Sequence, residues 1–498
     1  MLRLRAKKRQ RPSLFASIIP LVVLSVLLYT MLSIFGDQAM DGANQVALLS
    51  ASAVGAAIAI GVYHQKWNKI EDAIIDNIRT SGSSLIILLL IGALTGCWML
   101  SGIIPTMIYY GLQVLNPSIL LASSCVICAV VSIMTGSSWT TIATIGIALM
   151  GIGTAHGFSP GWIAGAIISG AYFGDKLSML SDTTVMASTT VGVNVFEHIK
   201  YMLITTIPSI IIALIVFTLV GLFNSDHSTA DIDIYLDTLS RTFHISPWLM
   251  VVPLITGFMI SRRLPAIITL FTATLCAAVA MWWTQSDIMA QIAEVAPAQL
   301  DATAKFTAII KCCYGATAIE TQYSDVTDLI STRGMEGMLN TIWLIICAMC
   351  FGGVLNGSGM LKRVTSSLLR MGKRTTTTVG STVIGGVCFN LCTADQYISI
   401  ILTGKLFKEL YSKNGFEARL LSRSVEDSAS VTSVLVPWNS CGMTQATVLG
   451  VATWVYLPYC IFNLVSPISS FIVAAIGYKI YRKTSNLKDA TDGTDSDI

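Results

Sequence analysis

Ser-Gly-Ala-Tyr-Phe-Gly-Asp-Lys-Leu-Ser-Met-Leu-Ser-Asp-Thr-Thr, residues 169–184, follows directly on an apolar run and adds two carboxylates, a lysine and several hydroxyls to it. If the stretch is helical, Asp175, Ser178 and Asp182 stand at i, i+3 and i+7 and share one face. An ionisable side chain inside a membrane costs roughly 3 kcal/mol or more unless it faces a polar cavity or a partner. The stretch therefore predicts an ion pathway if the rest of the chain spans a membrane.

The composition is that of an integral membrane protein. Of the 498 residues, 53% are hydrophobic and 12% are charged, with a mean hydropathy of +0.69, whereas a soluble chain carries about 25% charged residues. At about 20 residues for each span, we predict an all-α integral membrane protein with about 10–13 transmembrane helices. No basic patch interleaved with aromatic residues suggests nucleic acid as a partner.

The sequence contains no clear signature of a metal site or an enzyme. Twelve cysteines lie almost all in apolar runs, and the CxxC spacings Cys125/Cys128 and Cys347/Cys350 have no second pair or nearby histidine. Inside a hydrophobic helix such a spacing is more often packing than a zinc or redox site. Because we find no HExxH, nucleotide loop or nucleophile–base pair, we expect a protein that is not an enzyme and has no cofactor.

The charges along the chain indicate its orientation. Six basic residues precede the apolar stretch Leu14–Phe35, which is too long for the core of a signal peptide. We interpret residues 1–13 as a basic cytoplasmic N-terminus before an uncleaved first span. Acidic and basic loops then alternate, as the positive-inside rule predicts, and residues 482–498 resemble a disordered cytoplasmic tail.

Polar stretches interrupt the apolar runs in a paired manner. The predicted units are a first membrane half (14–223), connecting spans and amphipathic segments (224–337) and a second membrane half (338–481). The breaks lie at 135–141 and 174–184 in the first half and at 390–396 and 426–440 in the second. Lipid cannot satisfy backbone groups freed at a break, so such breaks occur where they line a cavity or coordinate an ion.

The two halves carry these breaks in the same order, which predicts an internal repeat. Thr135-Gly-Ser-Ser-Trp-Thr-Thr corresponds to Thr393-Ala-Asp-Gln-Tyr-Ile-Ser, and Gly174-Asp-Lys-Leu-Ser to Glu426-Asp-Ser-Ala-Ser. In this alignment Asp182 corresponds to Val434, so the predicted site is asymmetric. Paired broken segments are the best sequence pointer to a transporter site at the interface between repeats.

The residues at the breaks suit exchange of a small cation for a proton. Carboxylate, hydroxyl and amide oxygens are ligands for a hard cation such as Na+. Burial raises the pKa of a carboxyl, so a buried acid can hold a proton and release it when a cation arrives. The candidate ion and proton carriers are Asp175, Asp182, Asp395 and Asp427, with Na+ expected at Asp175 and Asp182. The candidate cavity or ligand residues are Thr135, Ser137, Ser138, Thr140, Ser178, Thr183, Asn390, Thr393, Ser428 and Asn439.

Each candidate also has a purely structural interpretation. A single aspartate at the end of a membrane helix, such as Asp175 or Asp427, is often an interfacial cap. A lone serine or threonine in a span usually bonds its own helix or a neighbour. The clustering of these residues at paired breaks favours the transport interpretation.

Two motifs resemble the NhaC family of bacterial Na+/H+ antiporters, within the ion transporter superfamily. They are Thr135-Gly-Ser-Ser-Trp-Thr-Thr and Gly174-Asp-Lys-Leu-Ser-Met-Leu-Ser-Asp-Thr-Thr, and the likeness extends to Glu426-Asp-Ser and Pro437-Trp-Asn. The family pattern usually has proline after Leu-Ser, where this chain has Met179. The resemblance implies an elevator-like fold of two inverted repeats in the bacterial inner membrane. It also implies export of cytoplasmic Na+ or Li+ in exchange for external H+, in pH and sodium homeostasis.

Similar family members exchange organic acids, as in malate/lactate antiport coupled to Na+ and H+, and amino-acid exchange is a further alternative. Such a site needs a fixed cation for the organic anion, and Lys176 in the second motif keeps this alternative open.

A channel agrees less well with paired breaks and proton-competent acids than alternating access does. The expected partners are Na+, H+ and membrane lipid, and a homodimer is an open alternative for the assembly.

Overall fold

A computed structural model describes residues 12–223, 229–262, 264–323, 326–327, 330–368 and 374–482. Residues 1–11 of the predicted basic N-terminus and residues 483–498 of the predicted tail lie outside this described part. Within it the chain consists of helices, their connections and two isolated β-bridges, Thr317–Thr332 and Phe416–Arg482. The predicted all-α class is therefore confirmed.

The helices of the first membrane half are α1 (Leu14–Phe35), α2 (Ala43–Gly61), α3 (Trp67–Thr80), α4 (Gly82–Leu100), α5 (Ile103–Val114), α6 (Leu120–Thr135), α7 (Ser138–Ala155), α8 (Pro160–Leu177), α9 (Asp182–Val191) and α10 (Val195–Phe223). The middle of the chain forms α11 (Thr229–Thr242), α12 (Val251–Ser261), α13 (Ala266–Thr284), α14 (Ser286–Ala293) and α15 (Ala302–Tyr314). The second half forms α16 (Gly334–Gly357), α17 (Met360–Leu368), α18 (Thr375–Thr393), α19 (Gln396–Lys413), α20 (Ala418–Val425), α21 (Ser440–Leu449), α22 (Thr453–Tyr456) and α23 (Ile461–Ile476).

The helices are long and apolar enough to make this a multi-pass membrane protein. Among the described residues, eight helices qualify as spans, and ten spans result if two bent pairs each cross the membrane once. One pair, Ile232–Thr242 with Pro247–Ile260, bends by 90°, and the other, Thr453–Tyr459 with Ile461–Ile476, bends by 55°. The higher count reaches the lower end of the predicted range.

Two glycines bring α8 into backbone contact with α6. A Cβ added at Gly170 would collide with the carbonyl of Cys125, and one at Gly174 with the carbonyl of Ala129. The Ser132 hydroxyl donates to the Ala171 carbonyl at 2.6 Å across the same seam. Small residues of this kind allow membrane helices to pack closely. The C-terminal end of α8, which carries Asp175, is therefore held beside the break that follows α6.

The breaks after α6 and after α18 have the same backbone design. The residue after each helix, Gly136 or Ala394, is left-handed, with φ of 66° and 57°. The next residue caps the following helix: Ser137 accepts from the Thr140 amide at 3.2 Å, and Asp395 accepts from the Ile398 amide at 2.9 Å. Because a side-chain oxygen satisfies an amide that the helix leaves free, each break is stable away from water.

The same hydroxyl contacts recur across both breaks. Thr135 Oγ1 contacts Thr141 Oγ1 at 3.1 Å, and Thr393 Oγ1 contacts Ser399 Oγ at 2.9 Å. Both threonines also donate to a backbone carbonyl two residues on, that of Ser137 or Asp395. Thr135 and Thr393 therefore hold equivalent positions in the two halves.

A constant spacing of 258 positions relates the halves. It connects left-handed Gly136 to Ala394, Gly157 to Gly415 and Gly192 to Gly450, and the start of α9 at Asp182 to the start of α21 at Ser440. The predicted match of Asp182 with Val434 is therefore wrong, because it paired residues by acidic character at a spacing of 252. The turns show instead that Asp182 corresponds to Ser440 and Asp175 to Ser433.

We expect Gly170→Ala to lower the thermal unfolding midpoint of the purified protein in detergent. Overpacking a close interface costs about 1–3 kcal/mol, and the added Cβ would meet a backbone carbonyl that cannot rotate away. The matched control is Gly257→Ala in α12, where an added Cβ meets nothing within 4 Å. Equal midpoints for the two variants would contradict the close approach of α8 to α6.

Candidate functional site

The stretch 169–184 is not one helix. α8 ends at Leu177, Ser178 has extended backbone angles, and α9 begins at Asp182 behind its cap Ser181. Asp175, Ser178 and Asp182 therefore do not share a helical face, and that prediction is wrong. The physical reason is local: the Ser178 hydroxyl accepts from the Leu180 amide at 3.2 Å, and such side-chain bonds offer the backbone an alternative to helix.

Asp175 is a buried carboxylate held by hydroxyls. The Ser138 hydroxyl, at the start of α7, donates to its Oδ2 at 2.8 Å, and 7% of the residue is exposed. Thr184 of α9 donates to the carbonyl of Lys176 at 3.2 Å, which joins α9 to the end of α8. In the part of the chain that the structure describes, Asp175 has no ion pair.

Asp182 lies near this carboxylate but is placed differently. It is the first residue of α9, where a negative charge is favourable at the positive end of the helix dipole. Its side chain is exposed, and it interacts electrostatically with Asp175. The structure therefore brings the two predicted Na+ ligands close together, with Asp175 inside the protein and Asp182 at an accessible surface.

Asp427 is the most heavily bonded of the predicted acids. Lys176 forms an ion pair with its Oδ1, and that oxygen also accepts from the hydroxyls of Thr205 at 3.0 Å and Ser466 at 3.2 Å. On the other side, Arg423 Nε lies 3.9 Å from Oδ2. Two cationic side chains therefore face a single carboxylate, which connects α8 to α10, α20 and α23.

Asp395 lies in a hydroxyl environment comparable to that of Asp175. Its carboxylate caps α19, and Oδ2 accepts from the hydroxyls of Ser81 at 3.3 Å and Ser440 at 3.4 Å. It is buried and, over the described ranges, has no basic partner. Thr183 of the first half donates to Glu426 Oε1 of the second half at 3.4 Å, so the breaks of the two halves adjoin.

Most predicted ligand hydroxyls and amides bond the backbone of the breaks or one another. This holds for Thr135, Ser137, Thr140, Ser178, Asn390, Thr393, Ser428 and Asn439. Of the predicted ligands, Ser138 and Thr183 contact a buried carboxylate, since Thr183 donates to Glu426 Oε1 at 3.4 Å. The first role of these polar residues is to satisfy backbone groups that lipid could not.

The sequence reasoning missed the buried charges around Asp427. Arg423 is fully buried, with its guanidinium over the Tyr201 ring at 4.7 Å from the centroid. Glu426 is also fully buried and begins the π-helical turn Glu426–Ser430. The available signal was the i, i+4 spacing of Arg423 and Asp427, which places opposite charges on one helix face.

Negative charge exceeds positive charge among the buried residues of this region. The buried acids are Asp175, Asp395, Glu426 and Asp427, and the buried lysine and arginine side chains are Lys176 and Arg423. Both of these cations face Asp427. Since an isolated buried charge is strongly unfavourable, the remaining carboxylates require protons or bound cations. The arrangement is thus suited to holding and exchanging small cations.

Comparison with known proteins agrees with this chemistry. The model of the Na+/H+ antiporter family matches residues 170–478. The Na(+)/H(+) antiporter NhaC of Alkalihalophilus pseudofirmus is 34% identical over 88% of this chain and 91% of that protein. NhaC of Bacillus subtilis is 32% identical over 82% and 87%. The malate-2H(+)/Na(+)-lactate antiporter of Bacillus subtilis is 33% identical over 96% and 98%.

The buried ion pair predicts a non-additive pair of substitutions. Lys176→Met and Asp427→Asn should each lower the free energy of unfolding by about 3–5 kcal/mol, because each leaves a buried charge without its main partner. The double variant should be more stable than the sum of the two losses predicts. Thermal unfolding of the wild type, both single variants and the double variant in detergent checks this expectation.

The exposed pair Glu409 and Lys413, with side chains 77% and 71% exposed, is the matched control. The variants Glu409→Gln and Lys413→Met should leave the unfolding midpoint nearly unchanged, because water and salt screen an exposed pair. Strictly additive losses for Lys176→Met and Asp427→Asn would show that the two residues do not stabilise each other.

Proposed function

This chain belongs to the Na+/H+ antiporter family, and on that premise we propose that it is a secondary active transporter that exchanges Na+ or Li+ for H+. The observation that carries the proposal is Asp175, a buried carboxylate that Ser138 holds with a hydroxyl and that no basic residue of the described chain neutralises. Carboxylate and hydroxyl oxygens are suitable ligands for a hard cation. Na+ bound at Asp175 and a proton bound in this buried acidic region each neutralise one negative charge, so binding of one disfavours binding of the other.

In this proposal Asp175 binds Na+, and Asp182 assists it from the accessible end of α9. An exposed carboxylate raises the local concentration of cations and so speeds their encounter with a nearby site. Ser138 of α7 and Asp175 of α8 provide oxygens from two helices that meet at the first break. A relative movement of these elements would open the site to one side of the membrane or the other.

We propose an inner-membrane location with the N-terminus in the cytoplasm. The support comes from the sequence, in which basic residues such as Lys405, Lys408 and Lys413 lie in segments assigned to the inside by the positive-inside rule. With that orientation, an inward proton gradient drives Na+ from the cytoplasm to the outside. The exchange needs no cofactor beyond the transported ions.

Exchange of an organic acid requires a cationic side chain that is free to bind a carboxylate. Lys176, the residue that kept this alternative open, already bonds Asp427 and the Ser466 hydroxyl. Arg423 faces the same carboxylate from its other side. Because Lys176 is already bonded, we propose an inorganic cation as the substrate. The guanidinium nitrogens of Arg423 have no hydrogen-bond partner among the described residues, so the organic-acid alternative depends on Arg423. One similar protein is a malate and lactate antiporter.

The proposal predicts that Na+ and Li+, but not K+, dissipate a pH gradient in everted vesicles or proteoliposomes containing the protein. Asp175→Asn should reduce this response to that of empty vesicles, because the site loses the charge that binds the cation. Asp182→Asn should instead raise the half-saturating Na+ concentration several-fold with the maximal response retained. Asp237→Asn, an exposed aspartate beside Arg241, is the control and should leave the response unchanged.

The same assay distinguishes the alternatives. A response that appears only when malate and lactate are supplied would assign the protein to the organic-acid exchangers. A full Na+ response in Asp175→Asn, measured on protein with the unfolding midpoint of the wild type, would mean that Asp175 is not the cation site.

A further inference from the structure

Glu426 is a buried acid to which the exchange at Asp175 has so far assigned no role. Its side chain is fully buried. It is the first residue of a π-helical turn that extends to Ser430 and follows α20 directly. Such turns inside helices are rare and occur frequently at functional sites. A buried carboxylate at such a position needs a proton, a cation or hydrogen-bond donors to be stable.

The carboxylate of Glu426 is poorly satisfied. Oε1 accepts from the Thr183 hydroxyl at 3.4 Å, whereas a hydroxyl bond to a carboxylate is typically about 2.5–2.7 Å long. Oε2 has no hydrogen-bond partner of good geometry among the residues that the structure describes, and the Ser430 hydroxyl adds at most a weak bond to the carboxylate. Glu426 has no ion pair there either. A fully buried carboxylate with so few donors is stable only with a proton or beside a cation.

The charges around Glu426 come from both halves of the protein. From α8, Asp175 and Lys176 interact with it electrostatically, and Asp427 follows it in the chain. Lys176 is bonded to Asp427, as Arg423 of α20 is from the other side.

The other elements packed against the turn bring mainly uncharged polar groups. α18, α19 and α23 present Asn390, Gln396 and Ser466 to this segment. α9 contributes Thr183 and the exposed acid Asp182. Glu426 and Asp175 are therefore two mutually repelling carboxylates, one from each half, without an ion-pair partner of their own.

We propose that Glu426 is the proton-carrying residue of the exchange, while Asp175 binds Na+. This inference rests on the proposed Na+/H+ exchange and deepens it. When Na+ binds at Asp175, its charge expels the proton of Glu426; when Na+ leaves, Glu426 takes up a proton. Each Na+ bound releases one H+, and the net charge of the two carboxylates with their cation stays the same. Asp175 and Glu426 together therefore hold one positive charge at a time, either Na+ on Asp175 or a proton on Glu426.

Neither neighbouring acid is as well suited to this role. Asp427 is bonded to Lys176 and faces Arg423, so it is already neutralised as a carboxylate. Asp182 is exposed at the start of α9, where the helix dipole stabilises its charge without a proton. Of these three acids, Glu426 is fully buried, has no ion pair among the described residues and interacts electrostatically with Asp175.

Two fluxes measured on the same proteoliposomes test the proposal: isotopic Na+/Na+ exchange, and H+ movement driven by a Na+ gradient. Glu426→Gln keeps the shape of the side chain but cannot carry the proton. We expect it to retain Na+/Na+ exchange at a several-fold higher half-saturating Na+ concentration and to lose Na+-driven H+ movement. Asp175→Asn should lose both fluxes, and the exposed control Glu409→Gln should keep both.

Glu426→Asp retains a carboxyl and is the conservative variant. It should restore part of the Na+-driven H+ movement with a shifted pH profile, which a merely structural residue would not do. This variant also tests the proposal if Glu426→Gln does not fold, because a wild-type pH profile in Glu426→Asp would overturn it.

Two results would overturn the proposal outright. One is full Na+-driven H+ movement in Glu426→Gln. The other is loss of Na+/Na+ exchange in a Glu426→Gln protein that unfolds at the wild-type temperature, since Glu426 would then belong to the Na+ site. Absence of any Na+ flux in the wild type is a separate outcome, which would remove the proposed function itself.

Discussion

The ion pair between Lys176 and Asp427 is the interaction on which the arrangement of the site depends. It joins the end of α8, in the first half, to the π-helical turn of the second half, inside a protein that lipid surrounds. Thr205 and Ser466 bond the same carboxylate oxygen from α10 and α23. Because an unpaired charge at this depth is so costly, the elements that carry these residues are held together.

That pairing also determines which acids remain for exchange. Asp427 pairs with Lys176 and lies 3.9 Å from Arg423. In the described part of the chain, Asp175, Asp395 and Glu426 have no basic partner and are left with hydroxyls, amides and one another. Carboxylates in such surroundings are stable when a proton or a small cation accompanies them. The family relationship and the distribution of buried charges thus independently indicate exchange of small cations at buried carboxylates.

The two halves share a backbone frame but not their chemistry. The left-handed turns and caps recur at a constant spacing, yet the cap is a serine at 137 and an aspartate at 395. Asp175 corresponds to Ser433, and Asp182 to Ser440. The repeated backbone provides two breaks that lie side by side. Because equivalent positions carry different residues, the carboxylate stands at a different point in each half. The site is asymmetric for this reason, although not in the register that acidic residues alone suggested.

The sequence by itself determined the membrane class, the helical fold and the positions of the breaks, because these depend on hydropathy and on local turn and capping residues such as Gly136, Ser137 and Asp395. It also singled out Asp175 and the segment around Asp427. Only the tertiary structure decided which charges meet. Lys176 and Asp427 are 251 positions apart, and Thr183 and Glu426 are 243 apart. No local pattern encodes such contacts, since they arise when helices from the two halves pack and each buried charge must find a partner.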